Sequence, residues 1–132
     1  MYLSAVTRCF PGKAPGGGDR RPDPEEIASC RRWLQGEVLL LGPRLILPVG
    51  TLAIAEVMGH TGALAEVVGT RQRLRFQGQL ADVIPLPHPS GASTWHRMEP
   101  GKTLLARALR LVAAHPEVRR VFRLTPSRAL VP

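Results

Sequence analysis

Two stretches of this chain, RLILPVG at residues 44–50 and QLADVIPLP at residues 79–87, are apolar almost without interruption. A strand with one wet face alternates apolar and polar residues, whereas a strand apolar on both sides must be covered on both sides. That is the habit of parallel sheets flanked by helices. Two such strands therefore demand helices to cover them, and the sequence around them supplies helical patterns. Asp23-Pro24-Glu25-Glu26 is a helix start: a capping aspartate, a proline in the first turn and a glutamate three residues after the cap. The helix is expected to run to about Leu41, with Ile27, Trp33, Leu34, Val38 and Leu41 largely on one face, and to stop at Gly42-Pro43. Thr51 is expected to cap a second helix, TLAIAEVM, ended by Gly59. A third is read between Glu99 and Ala114, with Leu104, Leu105, Ala108, Leu111 and Val112 inward and Lys102, Arg107 and Arg110 outward. His115-Pro116 breaks it, and the residues from Glu117 are read as one further short helix or strand.

The remaining elements complete an alternating order. YLSAVTR, residues 2–8, has the β-branched and aromatic content of a strand, and residues 10–22 form a Pro/Gly/charge segment too poor in apolar residues to pack, a flexible loop. RQRLRF, Gln77-Gly78 and QLADVIPLP read as an edge strand, a turn and a core strand. The expected fold is a single α/β domain over residues 1–132, a three-layer α/β/α sandwich around a central, mostly parallel sheet. Ligands of such sheets bind beyond the carboxyl ends of the strands, where the loops carrying Cys9 and His88 emerge.

Composition narrows the partners. The chain of 132 residues carries 18 Lys+Arg against 10 Asp+Glu, a formal charge of +8. The excess is concentrated: residues 97–132 hold eight basic and two acidic side chains, which accounts for +6 of it. A basic segment on a compact domain is the footprint of a polyanion such as DNA; its bland counterpart is the solvated face of an arginine-rich protein. No apolar run approaches the roughly 20 residues that span a bilayer. A cytoplasmic monomer with no membrane partner is expected. In that setting the two cysteines, Cys9 and Cys30, read as metal ligands or buried thiols rather than a disulfide.

The stretch VIPLPHPSGASTWHR, residues 83–97, is the candidate site. Prolines at 85, 87 and 89 remove backbone donors and restrict the chain on both sides of His88, so the imidazole stands on a stiff support at the end of a core strand. Gly91 permits close backbone approach, and the amides of residues 90–93 suit a phosphate. The alternative is a proline-rich turn whose histidine meets a backbone carbonyl. GKAPGGG, residues 12–18, matches neither phosphate-binding glycine pattern, although Lys13, Arg20 and Arg21 can touch a phosphate. Asp82, Glu56, Glu66 and Glu37 are placed on edge or helix surfaces, and no pair of them is set for acid/base work.

Three segments in order, TRCFPGK with Cys9, EEIASCRRWL with Cys30 followed by RLILPVGTLAI, and LPHPSGASTW, give the chain a resemblance to the uracil-DNA glycosylase superfamily, nearest its iron-sulfur branches. The resemblance implies a repair enzyme that flips a damaged base out of DNA and hydrolyses its N-glycosidic bond. It implies that His88 stabilises charge developing on the base, that Pro89, Ser90, Gly91, Ala92, Ser93 and Trp95 contact DNA, and that Cys9 and Cys30 are two of four ligands of a 4Fe-4S cluster. The family's base-reading asparagine corresponds to Ala5, and its usual bulky wedge to Ala92. Its other two cysteines, first strand and water-positioning loop correspond to sequence ahead of Met1. The resemblance thus implies an N-terminally shortened chain of impaired activity, binding no cluster alone, or else a non-catalytic DNA-binding module on the same fold.

Overall fold

A computed structural model describes residues 1–90 and 93–123. Helix α1 spans Pro24–Leu41 and opens as its sequence demands. The Asp23 carboxylate accepts from the Glu26 amide at 2.9 Å, and the Glu26 carboxylate accepts from the Asp23 amide at 2.8 Å. Strand β1, Leu45–Ile46, is followed by α2, Thr51–Met58. Strands β2, Gln72–Phe76, and β3, Gln79–Val83, form a hairpin whose Gln77 and Gly78 both take positive φ, 48° and 82°, the paired left-handed geometry of a tight two-residue turn. Helices α3, Gly101–Ala114, and α4, Pro116–Phe122, close the described chain.

The sheet has three strands in the order β1-β3-β2, with β1 parallel and β2 antiparallel to β3. Beyond Val83 the central strand continues toward β1's exit: the Leu86 amide donates to the Pro48 carbonyl and the Gly50 amide to the Leu86 carbonyl, each at 2.9 Å. Side chains alternate across β3, and both sets are buried. Ile84 sits in a cluster with Val68 and Ala108, against which Leu104, Leu111 and Val112 of α3 pack. Val83 and Ala81, on the other face, are equally enclosed. The α/β layering and the covered strands therefore match expectation, and the central strand is the one whose apolar run is least interrupted.

Four local expectations give way. Residues 2–8 form no strand; no backbone ladder reaches them among the described residues. A strand needs a neighbour's carbonyls and amides, and this segment is tied instead to α1 through Glu37, which accepts from the Tyr2 and Ser4 hydroxyls and pairs with Arg8. The segment 10–22 is more ordered than its composition suggests: Lys13 and Asp19 form an antiparallel bridge, and Arg20 reaches both the Pro11 carbonyl and the Glu26 carboxylate. Gly50, not Thr51, occupies the α2 cap. On α1 only Val38 of the expected apolar face is buried, while Trp33 remains 56% exposed with the Arg32 guanidinium over its ring.

Candidate active site

Because β1 and β3 run parallel, the loops leaving them emerge at one edge of the sheet. Pro85 and Pro87 are buried there, and His88, the next residue, is exposed. Gly50 explains how the imidazole is held. A Cβ added to Gly50 would lie 3.3 Å from His88 Cβ and 3.5 Å from Cδ2, so the histidine rests against bare backbone. Gly50 also has φ 87° and ψ 165°, a region that side chains essentially exclude. The Ser90 amide donates to His88 Nδ1 at 3.2 Å. A neutral imidazole accepting at Nδ1 carries its proton on Nε2, so the free edge of the ring is a hydrogen-bond donor.

The same edge holds the start of α2. Its cap is a glycine with no side-chain hydrogen bond, and the first amide turned back into the helix is that of Ile54, onto the Gly50 carbonyl. Among the described residues no acceptor takes the amides of Thr51, Leu52 and Ala53. Unpaired amides at the positive end of a helix favour an anion, here beside a ring donor. Sequence reasoning missed this second element; the signal was Gly50 itself, directly before the helical pattern.

The other expected site residues are dispersed. Pro89 is exposed, Ser90 and Ser93 half-buried, and Gly91 and Ala92 lie outside the described residues. Trp95 packs against the Val68, Ile84 and Ala108 cluster, which gives its ring a task in the core. Ala5 is exposed beside the Glu37 tether, and Lys13 faces solvent near Asp19. Neither hydrogen-bonds to His88.

Cys9 and Cys30 do come together, lining one cleft of about 290 Å³ at the first turns of α1 with Thr7, Asp23, Glu25, Glu26 and Ser29. Both are free thiols, and the Arg8 amide donates to Cys30 Sγ at 3.4 Å. A four-iron cluster is held by four thiolates. The described residues contain no group of three or more metal-ligating side chains, so these two sulfurs do not by themselves fit that cofactor.

Asp82 overturns a surface expectation. It lies on the central strand, 8% exposed, and its carboxylate meets His115 Nε2 and Arg71, each at 2.9 Å, with Arg73 at 3.6 Å. The His115 hydrogen bond, then the Arg71 charge, hold the Asp82 carboxyl below its ordinary range against the opposing effect of burial. His115 Nδ1 accepts the Glu117 amide at 3.2 Å and so caps α4. With both ring nitrogens occupied, His115 has none left for a substrate. The cluster fastens the α3–α4 corner to the sheet, about 20 Å along the strand from His88 at 3.3 Å per residue.

The model of the uracil DNA glycosylase superfamily matches residues 1–113. The chain belongs to the uracil-DNA glycosylase superfamily. Its similarity is to the type-4 and type-5 branch. A type-5 uracil-DNA glycosylase of Thermus thermophilus is 35% identical over 63 residues, covering 47% of this chain and 26% of that protein. A type-4 uracil-DNA glycosylase of Pyrobaculum aerophilum is 28% identical over 83 residues, covering 63% of this chain and 40% of its own length. A type-5 enzyme of the same organism is 32% identical over 63 residues, covering 48% and 25% respectively. The chain thus matches between a quarter and two-fifths of these curated relatives. Within this uracil-DNA glycosylase superfamily chain, the matched residues include both the His88 edge and the Cys9/Cys30 cleft. Among the described residues no helix is long and apolar enough to cross a membrane.

Proposed function

We propose that this chain carries the charge-stabilising part of a DNA repair glycosylase site. In this reading a uracil or other deaminated base, flipped from the duplex, sits at the carboxyl edge of β3 while water cleaves its N-glycosidic bond. Negative charge builds on a carbonyl oxygen of the departing base, and His88 donates its Nε2–H to that oxygen. One observation carries the reading: His88 is exposed at the strand end, seated against Gly50, with Nδ1 engaged by the Ser90 amide. A donor already oriented needs no reorganisation as charge appears, which is where electrostatic catalysis gains most.

The neighbouring groups take supporting roles. The uncapped amides of α2 suit a backbone phosphate beside the flipped nucleotide. Pro89, Ser90, Gly91, Ala92 and Ser93 form the segment facing DNA, with Trp95 holding its far end in the core, and Lys13 offers a distant phosphate contact. Ala5 brings no side-chain donor to a base edge. No step passes through a metal cluster; Cys9 and Cys30 take no part in the chemistry.

The test is release of uracil, hypoxanthine or xanthine from single-stranded and mismatched DNA by this chain and by any longer form its reading frame encodes. Release that depends on His88 supports the reading. The rival, a non-catalytic DNA-binding module, is favoured by the outward cations Lys102, Arg107 and Arg110 on α3. It predicts salt-sensitive DNA binding, no preference for a uracil-bearing strand and no base release by either form.

A further inference from the structure

The cleft beside the first turns of α1 gives its two cysteines a different chemistry from the one the family resemblance implies. Two thiols are half of a four-iron ligand set, yet the chain folds to bring them to one wall. The intervening hairpin does this: Arg20 fastens Pro11 through its carbonyl and Glu26 through its carboxylate, so the segment after Cys9 is held at the start of α1. The Arg8 amide lies 3.4 Å from Cys30 Sγ. Cys9 is the next residue, so its backbone nitrogen is within about 7 Å of that sulfur, one residue adding at most about 3.6 Å. Side-chain rotation of an exposed Cys9 closes such a gap to disulfide geometry.

We propose that Cys9 and Cys30 form a reversible dithiol/disulfide pair, closed by a small disulfide oxidant such as oxidised glutathione. The exposed Cys9 thiolate attacks one sulfur of the oxidant; the S–S bond breaks and one glutathione leaves as its thiolate. Cys30, half-buried across the cleft, then attacks the Cys9 sulfur and expels the second glutathione. Two thiols are oxidised, one external disulfide is reduced to two thiols, and two protons pass to solvent. The new bond would clamp the residues 2–9 segment, already tethered to Glu37, onto α1.

The experiment incubates the reduced, purified chain with oxidised glutathione, then alkylates, measures intact mass and maps peptides without reduction. The expected result is loss of both alkylatable thiols, a mass lower by two hydrogens, a linked Cys9–Cys30 peptide, and full reversal by dithiothreitol. Cys30→Ser should stop at a stable glutathione adduct on Cys9, whereas Cys9→Ser should react slowly; the wild-type chain decides the matter alone if either variant fails to fold. A wild-type adduct that never resolves, a disulfide between two chains, or thiols shielded by bound iron and sulfide would each overturn the proposal. None of these readouts depends on base release.

Discussion

Replacing Gly50 by alanine tests how the histidine edge is held. Two costs arise at once. Alanine at φ 87° and ψ 165° occupies a region that costs of order 1–3 kcal/mol for a residue with a Cβ. Its methyl would also meet His88 Cβ at 3.3 Å, so the histidine must retreat by a few tenths of an ångström. For a domain of this size about 1 kcal/mol moves the midpoint by roughly 4 °C, so Gly50→Ala should lower Tm by roughly 4–12 °C. The comparison is Gly59→Ala at the end of α2, where φ is 67° but nothing lies within 4 Å of the added carbon. That change should cost about 1 kcal/mol, and only through the backbone. Thermal melts followed by circular dichroism give both numbers, and the His88 ring resonances should shift in Gly50→Ala alone. Equal destabilisation by the two variants, with an unmoved His88 ring, would refute the packing of His88 on Gly50.

Other consequences follow from named contacts. Ile84→Ala empties the centre of the Val68/Ala108 cluster and should cost about 2–5 kcal/mol in urea denaturation. His115→Ala leaves the buried Asp82 without its 2.9 Å partner and removes the α4 cap. It should cost about 2–3 kcal/mol by the same assay, the sum of a lost buried hydrogen bond and a lost cap. Glu37 is held at about 2 by its hydrogen bonds to Arg8 and Ser4, below an ordinary value of 4.5. A depressed folded pKa stabilises above the unfolded value, so the tether should be fully present above about pH 5 and lost as pH falls toward 2. Fluorescence of Tyr2 or exchange of the residues 2–8 amides should follow that window in the native chain and lose it in Glu37→Gln.

What was legible in the sequence was what local chemistry decides. The Asp23/Glu26 capping box, the Gln77-Gly78 turn and the proline-framed strand exit at His88 each need only neighbours a few residues away. Residues 2–8 misled because strand propensity is half of a strand; the other half is a ladder partner, which composition does not reveal. The Asp82–His115 contact joins positions 33 apart, and His115-Pro116 is as good a helix breaker with the contact as without it. The α2 cap at the active edge was hidden because Thr51 is the more usual capping residue, whereas the decisive demand was room for His88 at Gly50.

The central claim is that His88 stabilises charge on a departing base, and single-turnover base release tests it most directly. The rate is measured with saturating uracil-containing single-stranded DNA for wild type, His88→Ala and His88→Gln, using whichever form of the protein releases uracil. The account predicts a loss of at least about a hundredfold for alanine, the scale of removing one preorganised donor, with DNA affinity retained. Glutamine, which keeps a donor, should recover part of it. An alanine variant as fast as wild type would contradict the account.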